Sequence, residues 1–192
     1  MKLIDSRLKA TLYRLVRTLR EGNVLVCPTD TVYGLLADAT NEKAVQRIFQ
    51  IKKRHKGKPL PVFVKDLQMA KRLAKIHKEQ EDFLKKAWPG KVTAVLKARH
   101  KLPKELEKNG KIALRIPNYD LVNLILKRLN RPLTGTSANI SGQPSCSSAA
   151  EVIAQFKKRK YQPDVIIDAG KLPESNPSAV IDITTAPYRT IR

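Results

Sequence analysis

The chain has 192 residues, 42% of them hydrophobic, and sets 38 Lys and Arg against 17 Asp and Glu, a net charge of +21. That length suits one domain with a buried core, and the ordinary apolar share excludes a compositionally disordered chain. The cation surplus favours polyanionic partners, such as nucleotides, nucleic acid or an anionic surface, and no apolar run approaches the ~20 residues of a membrane span.

Leu8, Leu12, Leu15, Val16 and Leu19 recur at helical spacing, with Asp5 or Ser6 as cap and Gly22 as stop. The opening segment MKLIDSRLKATL carries charges throughout and has no signal-peptide core, which reads as a cytoplasmic protein. VLVC at 24–27 predicts a short buried strand, followed by Pro28-Thr29-Asp30-Thr31-Val32-Tyr33-Gly34. Two readings of that segment stand. Polar groups at a strand terminus are where α/β proteins bind ligands, or Asp30 and Thr31 serve their own backbone in an Asx-type turn. Cys27 and Cys146 lie far apart without metal-ligand spacing, so no metal centre is expected.

Asn41 caps a helix carrying Ala44, Val45, Ile48 and Phe49, which delivers the basic stretch Lys52–Val64, KKRHKGKPLPVFV. Lys52, Lys53, Arg54, Lys56 and Lys58 exceed what the negative end of a helix dipole needs, so a phosphate-rich ligand is one explanation and a solvated basic turn the other. Lys52 and Arg54 would face different ways on a continuing helix. With the helix ending near Ile51, an extended segment turns both the same way, to grip one triphosphate. Pro59 and Pro61 fix the exit of this loop into a strand at 62–64.

Helices are predicted over Leu67–Ala74 and Phe83–Trp88, the second ended by Trp88-Pro89-Gly90, with the single Trp as a core anchor. VTAVL at 92–96 is a strand, and the polar, lysine-rich segment 97–111 is expected to be a mobile loop. Residues 111–116 alternate, with Ile112, Leu114 and Ile116 on one face and Lys111, Ala113 and Arg115 on the other. Arg115 then belongs either to an anion pocket or to a solvent-facing sheet surface. Leu121, Val122, Leu124, Ile125 and Leu129 form a further helix.

Thr134–Ser145, TGTSANISGQPS, is small and hydroxylated, which lets backbone approach a ligand closely. The spacing is not that of a Walker loop. Ser148-Ala-Ala-Glu151 is a capping box starting a helix, with the cations of 157–160 late on it. Strands follow in 164–170 and 178–183, and Tyr188–Arg192 ends the chain.

Lys52-x-Arg54 and Ser137-x-Asn139, with PTDTVYG before them and WPG between, resemble the YrdC family over roughly Gly22 to Arg192. Within it the chain is similar to the short, single-domain threonylcarbamoyl-AMP synthases of bacterial type. The resemblance implies one α/β domain spanning 1–192, a twisted, mixed sheet flanked by helices around a large basic concave cavity. It implies that L-threonine, bicarbonate and ATP, with magnesium and no organic cofactor, give threonylcarbamoyl-adenylate and pyrophosphate, the first step of tRNA threonylcarbamoyladenosine modification. Lys52, Arg54, Lys58, Ser137, Asn139, Ser145 and Arg192 would hold ATP, with Lys52, Arg54, Ser137 and Asn139 as the catalytic set. Thr31, Arg115 and Ser178 would hold threonine, Arg115 pairing with its carboxylate. Phe63 and Lys58 depart from the pattern: longer members have a histidine at the first and some members an Asn at the second. A downstream threonylcarbamoyl transferase complex and tRNA or double-stranded RNA are the implied partners. Two alternatives are carried: an RNA-binding protein of this fold without catalysis, and a carbamoyl-adenylate-forming domain.

Overall fold

The structure is a computed structural model that describes residues 6–55 and 57–192, with side chains described from Ala10 onward. The expected cap at Asp5, the side chain of Leu8 and the cation Lys56 lie outside the described residues. Helix α1 (Ser6–Arg20) ends before Gly22, whose φ of 81° completes the stop. Strand β1 (Leu25–Cys27) pairs antiparallel with β2 (Gly34–Leu36), so the polar segment between them is the connection of a hairpin.

Helix α2 (Glu42–Lys52) starts where Asn41 Oδ1 accepts from the Ala44 amide at 3.2 Å. Strand β3 (Val62–Phe63), helix α3 (Leu67–Leu73), strand β4 (Ala74–Lys75) and helix α4 (Lys78–Ala87) follow, then strand β5 (Val92–Ala98). Trp88 is buried and its indole N–H donates to the Val92 carbonyl at 2.7 Å, fixing the corner from α4 into β5. The 97–111 segment is not the expected mobile loop. A short 3-10 turn buries Leu106, and β6 (Glu107–Lys108) folds back on β7 (Lys111–Arg115). Asn109 and Gly110 take φ of 52° and 69°, the conformation that two-residue hairpin turns demand.

Helix α5 (Asp120–Leu129) leads to β8 (Leu133–Thr134), β9 (Thr136–Ser137) and helix α6 (Ala149–Phe156). Ser148 caps α6, while the Glu151 carboxylate reaches the Ser147 amide at 2.7 Å, one residue earlier than a capping box places it. The 157–160 cations therefore follow α6 rather than ride on it. Strands β10 (Val165–Ile166), β11 (Ala179–Asp182) and β12 (Arg189–Thr190) complete the chain.

These strands form mixed sheets flanked by helices, with parallel pairs at β1/β10, β5/β11 and β3/β7. Instead of one continuous sheet there are two. A smaller sheet runs β10-β1-β2-β9 and a larger one β12-β11-β5-β7-β3-β8, with β4 on β5 and β6 on β7. Consecutive strands β8 and β9 belong to different sheets, and only Gly135 separates them. A side chain there would meet the Phe63 ring at 2.4 Å, so glycine lets the chain cross between sheets against an aromatic wall. One buried cluster lies between α2, α3, α4, α6 and the sheets, and a second joins α1 and α5 to β1 and Phe63. Among the described residues no helix is long and apolar enough to cross a membrane.

Candidate functional site

The larger sheet presents one face to a cavity of about 350 Å³. Val95 on β5 stands opposite Ala113 on β7, and Val180 on β11 opposite Thr93 on β5, so small side chains pave this wall. The wall was readable as period-two alternation in both VTAVL and KIALR. Thr93, Val95 and Val180 nevertheless escaped notice, since short aliphatic residues look the same facing a cavity or a core. Thr31, Arg115, Ser178 and Arg192 line this cavity, together with Arg54, Ser137 and Ser145. An adjoining cavity of about 440 Å³ is lined by Lys52, Lys58, Asn139 and, again, Arg54 and Ser137. The residues singled out from the sequence thus surround two neighbouring spaces, and Arg54 and Ser137 stand between them.

Arg115 is buried, with 4% of its side chain exposed, which decides against a solvent-facing strand arginine. Its Nε donates to the Gly90 carbonyl at 2.8 Å and Nη2 to Asp30 Oδ2 at 2.6 Å. Burial lowers its pKa, and Asp30 opposes that shift by favouring the charged form. The turn at 28–34 works differently from an Asx turn on Asp30. Thr29 serves the backbone, donating to the Val32 carbonyl at 2.7 Å and accepting from the Thr31 amide at 3.2 Å. Asp30 is thereby released to reach across to Arg115 and to the Asn118 amide.

Lys52 and Arg54 do not point the same way. Helix α2 continues through Lys52, and Lys53 takes φ 47°, ψ 42°, a left-handed turn that sends the next residue off in a new direction. Lys52 stays beneath the Thr136–Gln143 loop, only 2% exposed. Its ammonium donates to the Ser137 carbonyl at 2.5 Å, the Asn139 carbonyl at 2.8 Å and Asn139 Oδ1 at 2.9 Å. Three acceptors use all three ammonium protons. Ser137 Oγ adds a bond to Asn139 Oδ1 at 2.6 Å, and Asn139 Nδ2 donates to the Gln143 carbonyl. Burial first, and the Arg54 charge second, pull Lys52 down to about 7.

Arg54 curls its own loop. Nε donates to the Lys58 carbonyl at 2.8 Å and Nη2 to the Pro59 carbonyl at 3.1 Å. Burial, then the neighbouring charge of Arg192, lowers its pKa, and both arginines line the same cavity. Such a pair is relieved by a polyanion placed between them. Burial pushes Cys27 up to about 12 and Cys146 to about 11, so neither is a thiolate nucleophile at neutral pH.

Ser178 Oγ lies 3.0 Å from Thr93 Oγ1, at the end of the irregular 167–178 segment. Tyr33 ties that segment down, since its hydroxyl donates to the Gly170 carbonyl at 2.8 Å and accepts from the Ala169 amide at 2.9 Å. Phe63 and Gly135 complete the cavity floor, and the Arg115 guanidinium carbon lies 5.8 Å from the Phe63 ring centre.

Residues 17–192 match a family model for Sua5, YciO and YrdC proteins, whose description reads "Telomere recombination". A Methanocaldococcus jannaschii relative is 34% identical over 192 residues, the whole of this chain and 89% of that protein. The threonylcarbamoyl-AMP synthase of Klebsiella pneumoniae is 32% identical over 174 residues, covering 88% of this chain and 90% of that one. Among solved structures, P. abyssi Sua5 complexed with L-threonine superposes with a TM-score of 0.89 at 34% identity over 100% of this chain, which spans 55% of that longer protein.

Proposed function

Because the chain belongs to the Sua5/YciO/YrdC family, we propose that it is a threonylcarbamoyl-AMP synthase, joining L-threonine, bicarbonate and ATP into threonylcarbamoyl-adenylate and pyrophosphate. The threonine amine takes up CO2 with loss of a proton, and a carbamate oxygen then bonds to the α-phosphorus of ATP. The bond from that phosphorus to the β-phosphate oxygen breaks, and pyrophosphate leaves. The observation that carries this reading is the pair of adjoining cavities with Arg54 and Ser137 on their shared wall. One end offers a buried arginine for a carboxylate, and the other offers Arg54 and Lys58 for phosphates. Lys52, its three protons committed to Ser137 and Asn139, holds the loop rather than the ligand. Reaction at a junction of this kind needs positioning and charge neutralisation more than a nucleophilic side chain.

Cations and hydroxyls dominate the polar lining, a poor donor set for magnesium, which prefers carboxylate and water oxygens. We therefore assign magnesium to the nucleotide as substrate and give it no step on the protein.

The test is pyrophosphate release from ATP, bicarbonate and magnesium with threonine, with serine, or with no amino acid. Threonine-dependent release that disappears in Arg54→Ala and Ser137→Ala supports the reading. Release that depends on carbamoyl phosphate moves the chain to carbamoyl transfer, and no release under any condition overturns the synthase.

One further observation favours an RNA contact beside catalysis. Lys53, Lys158, Arg159, Lys160 and Tyr161 line a groove of about 270 Å³ outside the cavities, with Lys160 5.6 Å from the Tyr161 ring centre. Cations around an exposed aromatic suit a phosphate backbone with a stacked base. Salt-sensitive tRNA binding that weakens on charge reversal of Lys158 and Lys160, with pyrophosphate release unchanged, would support it.

A further inference from the structure

Arg115 is held on two sides, and the way it is held leaves one nitrogen uncommitted. Nε is fixed on the Gly90 carbonyl and Nη2 on Asp30 Oδ2. Among the described residues no hydrogen bond engages Nη1. An arginine and a carboxylate commonly meet through two parallel bonds. Here the contact is single, and Asp30 Oδ1 is buried with no hydrogen-bond partner. Asp30 Oδ2 is itself anchored by the Asn118 amide at 3.1 Å. The Phe63 ring centre lies 5.8 Å from the guanidinium carbon.

We propose that Asp30 is a positioning residue for amino-acid selection: it fixes the Arg115 plane so that Nη1 faces the cavity, ready for an α-carboxylate. This rests on the reading that Arg115 binds the carboxylate of threonine. Asp30 partly offsets the desolvation of Arg115, but a guanidinium stays protonated with or without it, so what the carboxylate adds is orientation. Without Asp30 the guanidinium keeps its charge but loses its orientation. The loss falls on the amino acid and spares the nucleotide.

The experiment measures KM for threonine and KM for ATP in pyrophosphate release by the wild type, Asp30→Asn, Arg115→Ala and the double variant, with melting temperature followed for each. Asp30→Asn is expected to raise KM for threonine by about tenfold, corresponding to one hydrogen bond to a charged group, with KM for ATP within about twofold. In the Arg115→Ala background the same substitution is expected to add nothing, as groups acting through one another are non-additive. If Asp30→Asn does not fold, Asp30→Glu keeps the charge, displaces it by one methylene, and supports the inference by the same split between the two KM values. An Asp30 effect that persists undiminished without Arg115, or that raises both KM values together, overturns the inference alone. A wild-type KM for threonine in Arg115→Ala overturns the carboxylate reading and the inference with it.

Discussion

Lys52 and Asn139 are joined twice, through the Asn139 carbonyl at 2.8 Å and its side-chain oxygen at 2.9 Å, while the same ammonium holds the Ser137 carbonyl. The lysine is thus a strut under the loop, and the loop's exposed hydroxyls inherit their positions from it.

Lys52→Ala takes the ammonium donor from the Ser137 and Asn139 carbonyls and leaves Asn139 Oδ1 with Ser137 Oγ alone. Stability should fall by about 2–4 kcal/mol, from the cost of unsatisfied buried acceptors and lost side-chain volume. Pyrophosphate release should fall by about 100-fold or more, because a loop displaced by an ångström misaligns the reacting groups. Urea unfolding and single-turnover kinetics measure the two effects. Activity close to wild type would show that the loop holds its shape unaided.

The lowered pKa of Lys52 gives a pH signature. Its folded value of about 7 lies below the ordinary 10.5, so between these values the unfolded chain binds more protons than the folded one. Stability of the wild type relative to Lys52→Met should therefore rise from about pH 7 towards 10.5, by at most about 1.4 kcal/mol per pH unit. Below about pH 7 the difference should be flat. Melting curves of both proteins over this range are the check, and a difference that does not change with pH would place the lysine near its ordinary value.

Gly135→Ala drives a methyl group into the Phe63 ring, since Cβ would lie 2.4 Å from Cε1. Overpacking of this kind costs about 1–3 kcal/mol. Phe63→Leu in the same chain removes the ring edge and should recover part of the loss, as thermal unfolding of the single and double variants would show. Additive losses would mean that the ring moves aside freely.

Tyr33→Phe removes one hydroxyl that donates to Gly170 and accepts from Ala169. A stability loss of about 1–2 kcal/mol is expected. Amide hydrogen exchange should rise in 168–172 and leave β1 and β2 unchanged. Unchanged exchange in 168–172 would show that the segment is fixed by other contacts.

Periodicity located most elements, because the apolar faces of α1, α2, α5, β5 and β7 are regular and flanked by caps and breakers. The cavity residues were legible as motifs, being hydroxyls and cations where core residues were due. Directions were harder. Nothing in Lys52-Lys53-Arg54 signals that Lys53 turns left-handed, and that turn alone decides which cation lies beneath the loop and which lines both cavities. Asn109-Gly110 did carry a hairpin signal, hidden by the lysine content around it. The division into two sheets was not readable, because β8 and β9 are two residues each, too short for any alternation to show. The partnership of Asp30 with Arg115 joins positions far apart in the chain and depends on Thr29 having taken over the turn.

The crossing at Gly135 has a mechanical side. Thr134 is fixed in register with Val62 of the larger sheet, and Ser137 with Gly34 of the smaller one. Arg115 moves with the larger sheet, so any change of angle between the sheets is translated within a few residues into a change of distance between Ser137 and Arg115. The glycine is not the sole link: just past β2 the Ala37 carbonyl accepts from the Thr134 amide at 2.9 Å, and Asp38 bridges to Leu133 of β8. The sheets are thus clasped beside the crossing, and a ligand touching both ends meets a span that is already set.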